Sequence, residues 1–128
     1  MRWERGYPPK DESAAAARKG AAAALAGADD AARDDALLVI GELVSNAIRH
    51  AATDLHLSLV VEPGHMRVEV FDADPRPPAL LAADVDATSG RGLIIVASLA
   101  RTWGYGSAQR EGLSGKIVWA ELDQRWRD

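Results

Sequence analysis

The sequence has no cysteine, and that absence removes disulfide frameworks, zinc–thiolate sites, iron–sulfur clusters and thiol catalysis from consideration. A cytoplasmic location is expected for such a chain. It also lacks a basic excess. Nineteen acidic residues outnumber fifteen basic ones and give a formal charge of -4, so the field that phosphate-backbone binders use is missing and direct nucleic-acid binding is not expected. Apolar stretches such as 36–40 and 93–100 fall far short of the roughly 20 residues a membrane-spanning helix needs. Aromatic residues are few, and basic residues do not interleave with Trp103, Trp119 and Trp126 in the pattern a base-stacking platform requires; these read as packing residues.

What remains is one domain's worth of ordinary globular composition, 128 residues of which 48% are hydrophobic. A single domain over 1–128 is expected, with residues 1–10 as a short strand or arm stopped by Pro8-Pro9. The alanine-rich stretch after Ser13 could resemble a leader, but Arg18, Lys19 and Gly20 interrupt it and Glu4, Asp11 and Glu12 precede it. It reads as a helix from Asp11 to about Ala26. A second helix is expected from about Ala31 to His50, with Leu37, Ile40, Gly41, Val44 and Ile48 as its buried stripe.

The hydrophobic period then changes from 3.6 to 2. Leu55, Leu57, Leu59 and Val61 alternate along one strand and Met66, Val68 and Val70 along the next, joined by a Pro63-Gly64 turn. Residues 74–89 carry three prolines and little periodicity, a long connection of the kind that is usually functional. A short apolar helix from Gly92 to about Arg101 and strands at Thr102–Ser107 and Lys116–Leu122 complete an α+β fold: two layers, a mixed or mainly antiparallel sheet, about three helices on one face.

Three elements carry polar chemistry. Glu42, Asn46 and His50 recur every four residues and draw a polar line beside the helix's apolar stripe. A solvated face would explain that line, but a mid-helix Asn is a weak helix former and asks for a reason. Second, an apolar strand ends in Asp72-Ala73-Asp74-Pro75, where a carboxylate can accept a ligand's amino group or start an Asx turn. Third, Gly90-Arg91-Gly92-Leu93 opens the apolar helix, where free backbone N–H groups and the helix dipole can hold phosphate. Arg91 either reaches a phosphate or is solvated, and His50 either meets a ligand or caps its helix end. His56 and His65 show no metal-ligand spacing.

Taken in order, Glu42-x-x-x-Asn46-Ala47-x-x-His50, a strand ending in Asp72, and Gly90-Arg91-Gly92-Leu93 resemble the GHKL ATPases of the Bergerat fold. Within that superfamily the chain is similar to the stand-alone bacterial anti-sigma-factor serine/threonine kinases, over about Ala14 to Leu122 and including Trp103-Gly104 and Gly115-Lys116-Ile117-Val118-Trp119. The resemblance implies ATP and Mg²⁺ as cofactors. Asn46 would coordinate the Mg²⁺ that bridges the phosphates, Glu42 would act as general base or orient the attacking group, and Asp72 would accept the adenine amino group. Gly90, Arg91, Gly92 and Leu93 would lie against the phosphates, with His50, Asp74 and Lys116 as further nucleotide contacts and 74–89 as a lid. One amide oxygen plus phosphates suits Mg²⁺, which prefers oxygen ligands and keeps waters.

The chain departs from the family pattern where Asp72-Ala73-Asp74 replaces the common Asp-x-Gly, where Lys116 stands in place of a frequent Thr, and in a short lid. The implied partners are an alternative sigma factor and an anti-sigma-factor antagonist, with a possible homodimer. Two other readings stay open: a non-catalytic nucleotide-binding interaction module, and a detached catalytic domain of the histidine-kinase type. The residues alone do not decide whether ATP is turned over.

Overall fold

Alternating apolar residues, which fill one face of each central strand, dictate a sheet with a single covered side. In the computed structural model, which describes residues 1–76 and 91–124, that sheet has five strands and the helices cover it from one side. Along the chain the elements are β1 (Arg2–Tyr7), α1 (Glu12–Ala24), α2 (Asp30–Ala51), β2 (Leu55–Glu62), β3 (Gly64–Asp72), α3 (Arg91–Leu99), β4 (Thr102–Arg110) and β5 (Leu113–Gln124). The strand order is β1-β2-β3-β5-β4. Every pairing among the described residues is antiparallel, so the expected two-layer α+β architecture takes its antiparallel form.

Leu57, Leu59, Met66, Val68 and Val70 of the inner strands meet Val39, Ile40, Leu43 and Val44 of α2, all nearly or wholly buried. At roughly 1.5–3 kcal/mol for each large apolar side chain removed from water, this layer is the main stabilising term. The buried stripe of α2 differs from the one expected. Val39 and Leu43 lie in its middle, while Leu37 and Ile48 are only partly buried. The cause is tertiary, because α2 packs against α1, α3 and the sheet together, and its buried arc is wider than a surface helix needs. Asp29 caps its start by accepting from Ala32 N at 3.3 Å.

The arm at residues 1–10 is a true edge strand. Trp3 and Tyr7 of β1 pack toward α1, where Gly20 admits the Trp3 ring. Pro63-Gly64 makes the expected turn, with Gly64 at φ 78°. The closing hairpin runs further than its sequence pattern indicates, to Arg110 and Leu113. Its two-residue turn, Glu111-Gly112, has positive φ at both positions, 51° and 80°, which matches the twist of the flanking strands. The lid expected over 74–89 lies outside the described residues beyond Arg76, as do Gly90 and Trp126.

Candidate functional site

One long helix and two neighbouring strands bring most of the singled-out residues together. On α2, Asn46 is only 8% exposed, while Glu42 and His50 are half-buried. The polar line is therefore no solvated face. It lies at the margin of the core, with Asn46 nearly buried and Glu42 and His50 partly open. His50 is the last residue but one of α2. Its Nε2 is buried with no hydrogen-bond partner, so it does not cap the helix end through that atom.

Asp72 ends β3 on the helix side, continuing the series Met66, Val68, Val70. Its register partner on β5 is Lys116. The Lys116 ammonium donates to Asp72 Oδ1 at 2.9 Å, and the pair is almost sealed from solvent, with side chains 5% and 1% exposed. Lys116 Nζ donates again, to the backbone carbonyl of Asp74 at 2.9 Å. Asp72 Oδ1 also accepts from Asp74 N at 3.0 Å, the Asx turn that the Asp72-Ala73-Asp74 sequence allows. Burial pushes the Asp72 carboxyl above its usual range, opposed by Lys116 and the Asp74 N–H.

A second set of contacts fastens the chain just beyond. Thr53 Oγ1 accepts from Ala73 N at 3.1 Å. Arg76 Nε donates to Asp74 Oδ2 at 2.9 Å and holds its carboxyl down to about 2. The same guanidinium donates to the His50 carbonyl at 3.2 Å, tying this segment to the end of α2. Desolvation, then the cations Arg49, Lys116 and Arg76, push His50 below its ordinary pKa, so its ring is neutral at pH 7.

Of the glycine-rich element, Arg91 and Gly92 start α3, and Leu93 is buried at 3% in the core. α3 packs on α2, so its first turn belongs to the same side of the sheet as Glu42 and Asn46. Among the described residues no group of three His, Cys, Asp or Glu could hold a metal. A cation at this site would depend on the Asn46 amide and on a ligand's own oxygens, a donor set that suits Mg²⁺ and not zinc.

Sequence reading missed Thr53 and Arg76, and named Gly115 only as part of the stretch 115–119. Thr53 and Arg76 carry no motif. Gly115 does leave a signal, being a glycine inside a strand, which marks close backbone approach: a Cβ there would overlap the Asp72 carbonyl oxygen and come within 2.8 Å of Ala73 Cα.

Residues 7–121 match a family model, the histidine kinase-like ATPase domain. The chain belongs to that family. ATP binding is the coarse function that membership in the histidine kinase-like ATPase domain family supports. A search of curated proteins finds no match.

Proposed function

We propose that the protein is an ATP-binding regulator of the anti-sigma-factor kinase type, which binds Mg-ATP and phosphorylates or sequesters a protein partner. The observation that carries this reading is Asn46: a weak helix-forming amide inside α2, 8% exposed, one turn after a half-buried Glu42. Asparagine is a weak helix former, and a ligand to serve would account for one at this place. Asn46 would hold Mg²⁺, and the first turn of α3, Arg91-Gly92-Leu93 with Gly90 before it, would face the phosphates with its free N–H groups. Bound Mg²⁺ neutralises charge building on the phosphates. Glu42 would accept the proton of a partner's hydroxyl, leaving the oxygen free to attack. The partners of this reading are a sigma factor and its antagonist, with the protein acting as a homodimer.

A second reading, a nucleotide-binding interaction module that transfers nothing, draws support from the closed Asp72–Lys116 pair. Calorimetric titration with ATP, with and without Mg²⁺, on the wild type and on Asn46→Ala tests the site common to both. Saturable binding that Mg²⁺ strengthens in the wild type only is the expected result. No binding at millimolar ATP ends both readings.

A further inference from the structure

We infer that Lys116 reads the base together with Asp72, the two side chains presenting a donor beside an acceptor, the complement of the adenine edge formed by N1 and the 6-amino group. The inference rests on the ATP-binding reading, in which Asp72 accepts the base amino group, and it adds a second contact to that site.

The ion pair leaves hydrogen-bonding capacity unused on both sides. A carboxylate accepts at two oxygens, and an ammonium has three protons to donate. Both contacts to the Asp72 carboxylate, from Lys116 Nζ at 2.9 Å and from Asp74 N at 3.0 Å, fall on Oδ1. Oδ2 has no partner among the described residues, and it is not sealed. Lys116 Nζ donates to Asp72 Oδ1 and to the Asp74 carbonyl, each at 2.9 Å, and its third proton meets no other acceptor among the described residues. The side chains are 5% and 1% exposed, a setting in which unmet polar valences are costly. Oδ2 and Nζ flank the shared Oδ1, so the open acceptor and the open donor are neighbours.

Adenine complements that pair. Its 6-amino group donates and the adjacent N1 accepts, so one edge of the ring answers Oδ2 and Nζ at once. Guanine in the same pose is opposed at both atoms: its 6-oxo oxygen would meet the carboxylate and its N1–H the ammonium. A site whose polar groups are left unpaired by the wrong ligand discriminates strongly. The lysine is also in place beforehand. Its second acceptor, the Asp74 carbonyl, belongs to a segment that Arg76 ties through Asp74 to the last turn of α2 and that Thr53 ties through Ala73 N. An ammonium already held by two acceptors loses little freedom in taking a third.

Calorimetry with Mg²⁺ and four ligands tests this on the wild type and on Lys116→Met, whose side chain is of similar length and has no donor. The ligands are ATP, GTP, inorganic tripolyphosphate, and 1-deaza-ATP, in which a C–H replaces N1 and the 6-amino group is kept. The wild type should bind ATP roughly tenfold or more tighter than 1-deaza-ATP, the worth of one hydrogen bond from a charged donor, and tighter than GTP by at least as much. In Lys116→Met, ATP should fall to the affinity of 1-deaza-ATP, with tripolyphosphate unchanged. A wild type that binds ATP and 1-deaza-ATP equally, or ATP and GTP equally, overturns the inference and leaves ATP binding standing. So does a Lys116→Met protein that still prefers ATP to 1-deaza-ATP, or one that loses tripolyphosphate affinity as well, since the lysine is then structural. Failure of all four ligands on both proteins removes the ATP-binding reading and this inference together. If Lys116→Met does not fold, the wild-type comparison of ATP with 1-deaza-ATP decides alone.

Discussion

Gly115 lies directly against the backbone of Asp72, so that even one added carbon would overlap the Asp72 carbonyl oxygen. The two residues belong to paired central strands, and neither backbone can yield without breaking the ladder. Gly115→Ala should therefore destabilise the fold by about 2–4 kcal/mol, read as a fall in the urea midpoint, and should disturb the Lys116 contact beside it. Gly41 offers the contrast. A Cβ there meets only the far end of the exposed Arg18 side chain, Nη1 at 2.6 Å and Cδ at 3.2 Å, which can swing away while the helix gains an alanine. Gly41→Ala should stay within about 1 kcal/mol of the wild type; a loss as large as that of Gly115→Ala would show that Arg18 is pinned.

α2 ends on Ala52, an exposed residue in the left-handed conformation with φ 55°. An L-residue with a Cβ pays there for a geometry that glycine adopts freely, and glycine is the usual choice at this point. Ala52→Gly should raise stability by about 0.5–1 kcal/mol in spite of the larger unfolded-state entropy of glycine. Thermal melts of the two proteins decide it, an unchanged or lower midpoint counting against the argument.

The His50 ring gives the fold a dependence on mild acid. Its pKa is lowered by burial and by Arg49, Lys116 and Arg76. Asp72 and Asp74 partner two of those cations, Lys116 and Arg76. Above the unfolded value near 6.5 the ring is neutral in both states. Below it, the unfolded chain takes up a proton that the folded protein resists, so the stability His50 contributes is lost as pH falls. Urea midpoints at pH 7.5 and 5.5 should drop more for the wild type than for His50→Gln, whose side chain does not titrate. Equal drops would assign the acid response to other groups.

Glu42→Ala separates the chemistry from the binding. In the proposed reaction it removes the proton acceptor and leaves Asn46 and the α3 N-terminus in place. Phosphate transfer to the protein partner should fall a hundredfold or more, with ATP affinity by calorimetry within about threefold. Unchanged transfer would remove Glu42 from the role of base.

Much of this architecture could be read from residue periodicity. The change from period 3.6 to period 2 after His50 marks the passage from α2 to the β2–β3 hairpin, and burial of the alternating leucines and valines fixes which face is covered. The polar line Glu42, Asn46, His50 was visible as spacing, but its burial was not, because it depends on α3 and the sheet closing around α2. The pairing of Asp72 with Lys116 was hidden for a stronger reason. These residues are 44 apart in sequence, and only the register of β3 against β5 makes them neighbours. The closing hairpin was read too short because glutamate at positive φ in Glu111-Gly112 is not a usual turn signal.

The order of the strands has a consequence for how the molecule is made. β5 is the last of the described strands yet lies inside the sheet, between β3 and β4. Until it emerges from the ribosome, β3 presents an unpaired edge, β4 has no neighbour, and Asp72 has no lysine to meet. The early part, β1 through β3 with α1 and α2, can assemble through mostly local contacts, whereas closure joins Gly64 to Gln124 across most of the chain's second half. A chain that stops before β5 carries β3 as an unpaired edge, a template for pairing with another chain.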